Sequence, residues 1–329
     1  MSEHVARHAS PADARLGNHK LAFGQVMGEL AHTRGDLAVV VADYGRRLGL
    51  ERFRALCPEG YVQCGIAEQN QVEVASALAN EGFVTFAPTY ATFITARVLD
   101  QVRVNLGIMG SPVMLVGVGC GCEAGPLGPS HMAIEDLGCM RQIPGMTVAS
   151  PVDVEEFMDV LRDLAEHPRP AYVRMNDDAG ARLLPVGADP LAPCWLRRGD
   201  GARVALVACG TVAAFALAAA DLLAERSTMA DVLALPTLKP WDDAPVRQLS
   251  GYEVVVTVEE HAAIGGLGSA VAEALAQMGG GPRLVRLGMP DRYLEADVRA
   301  RLLERAGLDA AGIARAASGA LGRSGSGGS

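Results

Sequence analysis

The sequence predicts an α/β fold of two domains built around mainly parallel sheets, and three observations predict it. Short, strongly apolar runs rich in Val, at 37–41, 113–118 and 204–207, have the length and composition of strands buried on both faces. Between them, apolar residues recur at helical spacing over 21–32, 67–80 and 92–106, so strand and helix alternate as βα units do. The stretch LLPVGADPLAPCWLRRGDG is rich in Pro, Gly and charge and has no period, which marks a join between two such units.

Taken in order, residues 1–17 read as an N-terminal extension without the apolar centre of a signal peptide. The first domain spans 18–183 and a linker spans 184–202. The second domain, 203–322, opens on the strand VALVAC and runs strand, helix, strand to a helical end. Residues 323–329, which close on SGSGGS, have the composition of a flexible tail.

Composition excludes several classes of function. The formal net charge is −9 and no long Lys/Arg run is present, so the footprint that neutralises phosphates is missing and nucleic acid is not expected as a partner. No apolar stretch reaches the roughly 20 residues a membrane helix needs, so no membrane association is expected. Seven cysteines, an odd number without a CxxC pair, suit a reducing compartment and a cytoplasmic location. Cys120 and Cys122 form a lone CxC with too few companions for a structural metal, and no metal site is expected in this chain.

Candidate functional residues gather at predicted element ends. Glu68 opens an Ala-rich helix after Gly65, Ile66 and Ala67; it reads equally as a carboxyl drawn out of water or as a glutamate favoured by the helix dipole. Tyr90 and Phe93 are one helical turn apart, so both rings can address one side. Asp43 ends a buried strand, where open α/β sheets bind ligands, although a cap or turn role fits as well. The GGLG at 265–268 reads as a tight helix entry, because no GxGxxG follows a strand.

The segment Cys64-Gly-Ile-Ala-Glu-Gln-Asn70, then EGFVTFAPTYATF and LDQVRVN, resembles the pyrimidine-binding domain of transketolases. The likeness continues through GPSHMAIEDLGCMRQIPGMTVASPVD. LPTLKPWDD, VVTVEEHAAIGGLGSAVAEAL and RLGMPDRY resemble the family's C-terminal domain in order and spacing. The resemblance implies a thiamine-diphosphate enzyme that moves a two-carbon ketol unit from an anionic ketose to an aldehyde. A full-length transketolase also carries an upstream domain, with a GDG motif and an Asn pair, that grips the diphosphate through Mg²⁺ (or Ca²⁺/Mn²⁺). The GDG here, at 199–201, lies in the linker without that Asn pair. The resemblance therefore implies the second chain of a split transketolase, active with a separate N-terminal subunit as an α2β2 assembly with β–β contacts.

It also implies roles by position. Glu68 is the carboxyl that meets N1′ of the aminopyrimidine so that the cofactor's own amino group takes the C2 proton. Phe93 stacks on the pyrimidine, with Ile66 and Tyr90 completing an apolar wall, and Asp43 lies near the thiazolium. His131, expected at a helix start, contacts substrate. Lys20, where Arg is common, Arg47, where Ser/Thr is usual, and Arg174, at the end of AYVRM, form a basic mouth for an anionic sugar. Glu259, Glu260 and His261 resemble a VEEH segment with a structural and interface role. Gly119 and Leu127 stand where sugar-phosphate transketolases carry a histidine and an aspartate, which loosens the donor assignment. Two other activities remain open: decarboxylation of a 2-oxo acid donor with transfer to an aldehyde, as in deoxyxylulose-phosphate synthase, and a non-catalytic regulatory role.

Overall fold

In the computed structural model the predicted apolar runs become the central strands of two sheets. The structure describes residues 19–176, 182–279 and 281–324; the expectations for 1–17 and for the closing tail from 325 lie outside them. In chain order the main elements are α1 (His19–Thr33), β1 (Leu37–Val41), α2 (Glu51–Leu56), β2 (Tyr61–Gln63), α3 (Glu68–Asn80), β3 (Val84–Tyr90), α4 (Ala91–Ile94), α5 (Leu99–Val102), β4 (Val113–Val118), α6 (Asp136–Arg141), β5 (Thr147–Ala149), α7 (Val154–Glu166) and β6 (Ala171–Met175). The second half adds β7 (Cys194–Arg197), β8 (Val204–Ala208), α8 (Ala213–Ala224), β9 (Ala230–Ala234), β10 (Thr237–Lys239), α9 (Asp243–Gln248), β11 (Val254–Ala262), α10 (Leu267–Gln277), β12 (Arg283–Met289), α11 (Arg299–Ala306) and α12 (Ala310–Ser324).

The first sheet has seven strands in the order β10-β5-β6-β4-β3-β1-β2, and the second has five in the order β12-β11-β8-β9-β7. All pairings are parallel except β10 with β5 and β7 with β9. Fully buried β1 and β4 explain their uninterrupted apolar composition, since helices cover both faces. One core cluster packs Phe23 and Phe157 of α1 and α7 against β1, β3 and β4. Another joins the halves, with Leu115 and Tyr172 of the first sheet meeting Val207, Leu233 and Val255 of the second. Burying a Phe or Leu this completely contributes about 1.5–3 kcal/mol, so the two halves are held by a shared core.

Asp153 accepts a bond from the Glu156 amide at 2.8 Å, and the Glu156 carboxylate accepts from the Val152 amide, the reciprocal pair that starts a helix.

Three expectations are corrected. The stretch 184–202 is not a plain linker, because Cys194–Arg197 forms the antiparallel edge strand β7; its half-exposed position needs no apolar run to betray it. The sequence boundary between halves is also crossed, since β10 of the second half completes the first sheet, anchored where the Ser150 amide donates to the Pro236 carbonyl at 2.7 Å. The helix expected over 92–106 is broken into α4, a 3-10 turn at Ala96–Val98, α5 and a π-helical turn at Arg103–Ile108. Thr95 causes the first break: its hydroxyl donates back to the Ala91 carbonyl at 2.7 Å while its backbone leaves the helical region.

Candidate functional site

The carboxyl ends of β1, β3 and β4 lie side by side in the first sheet, and each delivers a predicted site residue or its neighbour. Asp43 follows β1, Tyr90 ends β3 and Gly119 follows β4. Ligands meet open parallel sheets at such ends.

Glu68 arrives from the β2 side. Cys64 and Gly65 donate their amides to the Val41 and Ala42 carbonyls at 2.8 and 3.1 Å, which ties the loop to the end of β1. Gly65 has φ +77°, a turn that side chains resist, and three residues later the chain enters α3 with Glu68 as its first residue. The helix is held in place by Gln71, whose buried amide donates to the Val40 carbonyl at 2.8 Å and the Pro88 carbonyl at 3.2 Å. Glu68 is only 3% exposed, whereas its neighbour Ile66 is 75% exposed. The Glu68 carboxylate accepts a bond from Arg97 Nη1 at 3.1 Å.

The aromatic residues converge. Tyr90 and Phe93 meet edge to face with centroids 5.8 Å apart, and the His131 ring lies 5.2 Å from each. Tyr44 adds a further ring 4.7 Å from Tyr90. Burial pushes the Tyr44 hydroxyl above its ordinary pKa and keeps it neutral. The Arg97 guanidinium carbon sits 3.7 Å from the centre of the Phe93 ring. One cation thus touches both the predicted carboxylate and the predicted stacking ring.

Other predicted residues fall around this cluster. Asp43 is exposed and its side chain makes no capping bond to the 3-10 turn Tyr44–Arg47 that follows, so the cap alternative is not taken. Arg47 is exposed, with its guanidinium 5.7 Å from the Tyr44 ring centre. Lys20, at the start of α1, pairs with Glu123 at 2.8 Å. His131 does not open a helix: it ends a turn from Gly128, its ring nitrogen Nδ1 lies 3.0 Å from Ser130 Oγ, and α6 starts only at Asp136.

Arg174 is corrected. It is 4% exposed and donates to the Asp136 carboxylate through Nε at 2.8 Å and to the Glu260 carbonyl through Nη1 at 3.0 Å. Burial alone pushes Asp136 up, but the guanidinium outweighs it and holds the carboxyl below its ordinary range. A fork spent on a buried aspartate and a carbonyl clasps the halves together.

Gly119 and Leu127 have separate physical reasons. Gly119 has φ +68°, and a Cβ there would lie 3.5 Å from the Tyr90 ring, so the turn after β4 selects glycine. Leu127 is 55% exposed in the 3-10 turn Gly125–Leu127.

Glu259, Glu260 and His261 are buried and used within the chain. Glu259 accepts the Leu267 and Gly268 amides at 2.6 and 2.8 Å, capping α10. Glu260 accepts from the Cys122 amide at 2.8 Å and pairs with Arg299. His261 Nε2 accepts from the Gly138 amide at 3.1 Å. The bonds of Glu260 with Cys122 and of His261 with Gly138 join the two halves.

Sequence reasoning missed Arg97, Tyr44 and Gln71. The four-residue step from Phe93 to Arg97 was a usable signal, being the spacing of helix neighbours. Among the described residues no three His, Cys, Asp or Glu side chains cluster as a metal site, all seven cysteines are free thiols, and no helix is long and apolar enough to cross a membrane.

With this geometry in place, comparison with known proteins is informative. Residues 18–180 match the transketolase pyrimidine-binding domain family, and residues 195–313 match the transketolase C-terminal domain family. The chain is 34% identical to a 6-deoxy-6-sulfo-D-fructose transketolase subunit, SqwH, of a Clostridium species, covering 93% of this chain and 96% of that one. It is 38% identical to a 1-deoxy-D-xylulose-5-phosphate synthase of Thioalkalivibrio sulfidiphilus, covering 88% of this chain but only 45% of that one. Among solved structures, a split-gene transketolase described as an inactive β4 tetramer superposes with a TM-score of 0.81 at 32% identity, covering 92% of this chain and 98% of that one.

Proposed function

Because this chain belongs to the transketolase family, we propose that it is the pyrimidine-binding subunit of a split thiamine-diphosphate enzyme that transfers a two-carbon ketol unit. The single observation that carries the reading is Glu68, buried at the start of α3 and linked through Arg97 to Phe93, whose ring clusters with Tyr90 and His131. The donor set fits an aminopyrimidine: a sequestered carboxylate that already bonds a flat nitrogen cation, a phenyl ring, and the exposed Ile66 beside them.

When bound, thiamine diphosphate supplies the carbon nucleophile of the reaction. Glu68 holds a proton at N1′ of the pyrimidine, and burial keeps water from competing for that bond. Phe93 and Ile66 orient the ring, with Tyr90 behind them and Asp43 toward the thiazolium. His131 exchanges protons with the oxygen functions of the substrate. Lys20 and Arg47 attract its anionic group. Arg174 takes no part.

The diphosphate and its Mg²⁺ (or Ca²⁺/Mn²⁺) belong, in this reading, to a separate N-terminal transketolase subunit, and the working enzyme is an α2β2 assembly with β–β contacts. The near-complete overlap with a transketolase subunit and with a split-gene transketolase supports this. The free thiols suit the cytoplasm. The test is reconstitution: the chain mixed with the N-terminal subunit, cofactor and Mg²⁺ yields ketol transfer that neither chain gives alone. Full activity of the partner by itself overturns the reading.

A second reading, a decarboxylating donor, is favoured by Gly119 and the exposed Leu127 at usually polar positions and by the 38% identity to the synthase. Release of carbon dioxide from pyruvate by the reconstituted pair selects it.

A further inference from the structure

Arg97 makes two contacts at once. Its Nη1 donates to the Glu68 carboxylate at 3.1 Å, and its guanidinium carbon lies 3.7 Å from the centre of the Phe93 ring. These are the two groups on which the proposed cofactor site rests. A guanidinium is planar, conjugated and rich in N–H donors, so it offers Glu68 and Phe93 the same kinds of contact, a hydrogen bond and a stacked face, that an aminopyrimidine offers. With the guanidinium carbon 3.7 Å from the ring centre, that face has no room for a second group.

We infer that Arg97 is a positioning residue that holds Glu68 and Phe93 in register through the contacts a pyrimidine would make, and withdraws when the cofactor ring enters. The inference rests on the cofactor reading above.

Two further features support it. Glu68 is 5% exposed at its side chain, whereas Arg97 is 41% exposed, so the carboxylate is fixed and the cation has solvent to move into. A buried carboxylate left without a partner is costly, and pairing with Arg97 removes that cost. The break at Thr95 matters here. It ends α4 after one turn, and Arg97 lies in the separate 3-10 turn Ala96–Val98, outside the ladder of a continuous helix. Its displacement therefore costs no helical hydrogen bonds of α4 or α5.

The consequence is competition. Cofactor entry must break an ion pair and a cation–π contact at a half-exposed site. Removing the guanidinium makes cofactor binding tighter, by about tenfold, where a residue that merely supports the fold would make it looser.

The experiment is equilibrium titration of thiamine diphosphate, with Mg²⁺, into the chain assembled with its N-terminal subunit, read by calorimetry for the wild type, Arg97→Ala, Arg97→Met and Arg97→Lys. Expected are about tenfold tighter binding for Arg97→Ala and Arg97→Met, and an intermediate value for Arg97→Lys, which keeps the charge and loses the flat fork. Arg97→Met keeps the aliphatic stem, so a folding defect in the alanine variant leaves the test intact. Equal or weaker binding in Arg97→Met overturns the inference while leaving the cofactor reading standing. Failure of the wild type and every variant to bind thiamine diphosphate overturns both.

Discussion

Arg174 and Asp136 form a buried clasp, the Nε of the one donating at 2.8 Å to the carboxylate of the other, at 4% and 0% exposure. The same aspartate accepts the Tyr172 hydroxyl at 2.5 Å, and Arg174 reaches across to the Glu260 carbonyl of the second half. A charge pair this deep holds the first sheet to the second because neither partner tolerates losing the other.

Arg174→Ala is therefore expected to cost about 3–5 kcal/mol, the penalty of a stranded buried carboxylate, and to lower the melting temperature by roughly 6–15 °C. Arg174→Lys fails to restore it, because the ammonium lacks the fork. Thermal unfolding checks this. An unchanged melting temperature with a raised KM would return Arg174 to the substrate.

Burial pushes the His261 pKa down to about 4, so the folded chain keeps the ring neutral. The ordinary value is 6.5, so between pH 6.5 and 4 the unfolded chain binds the proton that the folded chain refuses, and stability is lost as the pH falls through that window. Burial also raises Glu259 to about 7, which acts in the opposite sense: its contribution is present below pH 4.5 and is lost as the pH rises toward 7. The histidine's share is isolated by comparison with His261→Gln. The stability gap between wild type and variant widens from pH 4 to 6.5 in denaturant titrations, and a gap independent of pH would contradict the assignment.

Gly119→Ala places a Cβ on a backbone at φ +68° and against the Tyr90 ring at 3.5 Å. A cost of about 1–2 kcal/mol is expected from the backbone alone. Denaturant unfolding measures it.

Phe93→Ala removes the ring on which a pyrimidine would stack, and weakens thiamine diphosphate binding by the assembled enzyme about tenfold. The melting temperature of the free chain shifts little, since Phe93 is only half-buried. Calorimetric titration separates the two effects.

The strands at Leu37–Val41 and Val113–Val118 and the start of α3 were legible because continuous Val-rich runs and an Ala-rich helix leave few alternatives. Edge strands β7 and β10 were not, being short and half-exposed, with their partners set by tertiary contact. Tyr90, Phe93 and His131 are brought together as neighbours, and Glu68 joins them through Arg97; sequence spacing supports only Tyr90 with Phe93. Arg174 misled because an arginine at a strand end looks like a ligand, and its partner lies 38 residues away. Arg97 was legible only as a helix neighbour of Phe93; that it also reaches Glu68, 29 residues away, was not.

The proposed activation of thiamine diphosphate by the Glu68 carboxyl is measured, without any substrate, by exchange of the cofactor's C2 proton into deuterium oxide. In the assembled enzyme, Glu68→Gln is expected to slow that exchange by about a hundredfold or more while the cofactor still binds. Exchange at the wild-type rate in a folded, cofactor-bound Glu68→Gln enzyme would contradict the account.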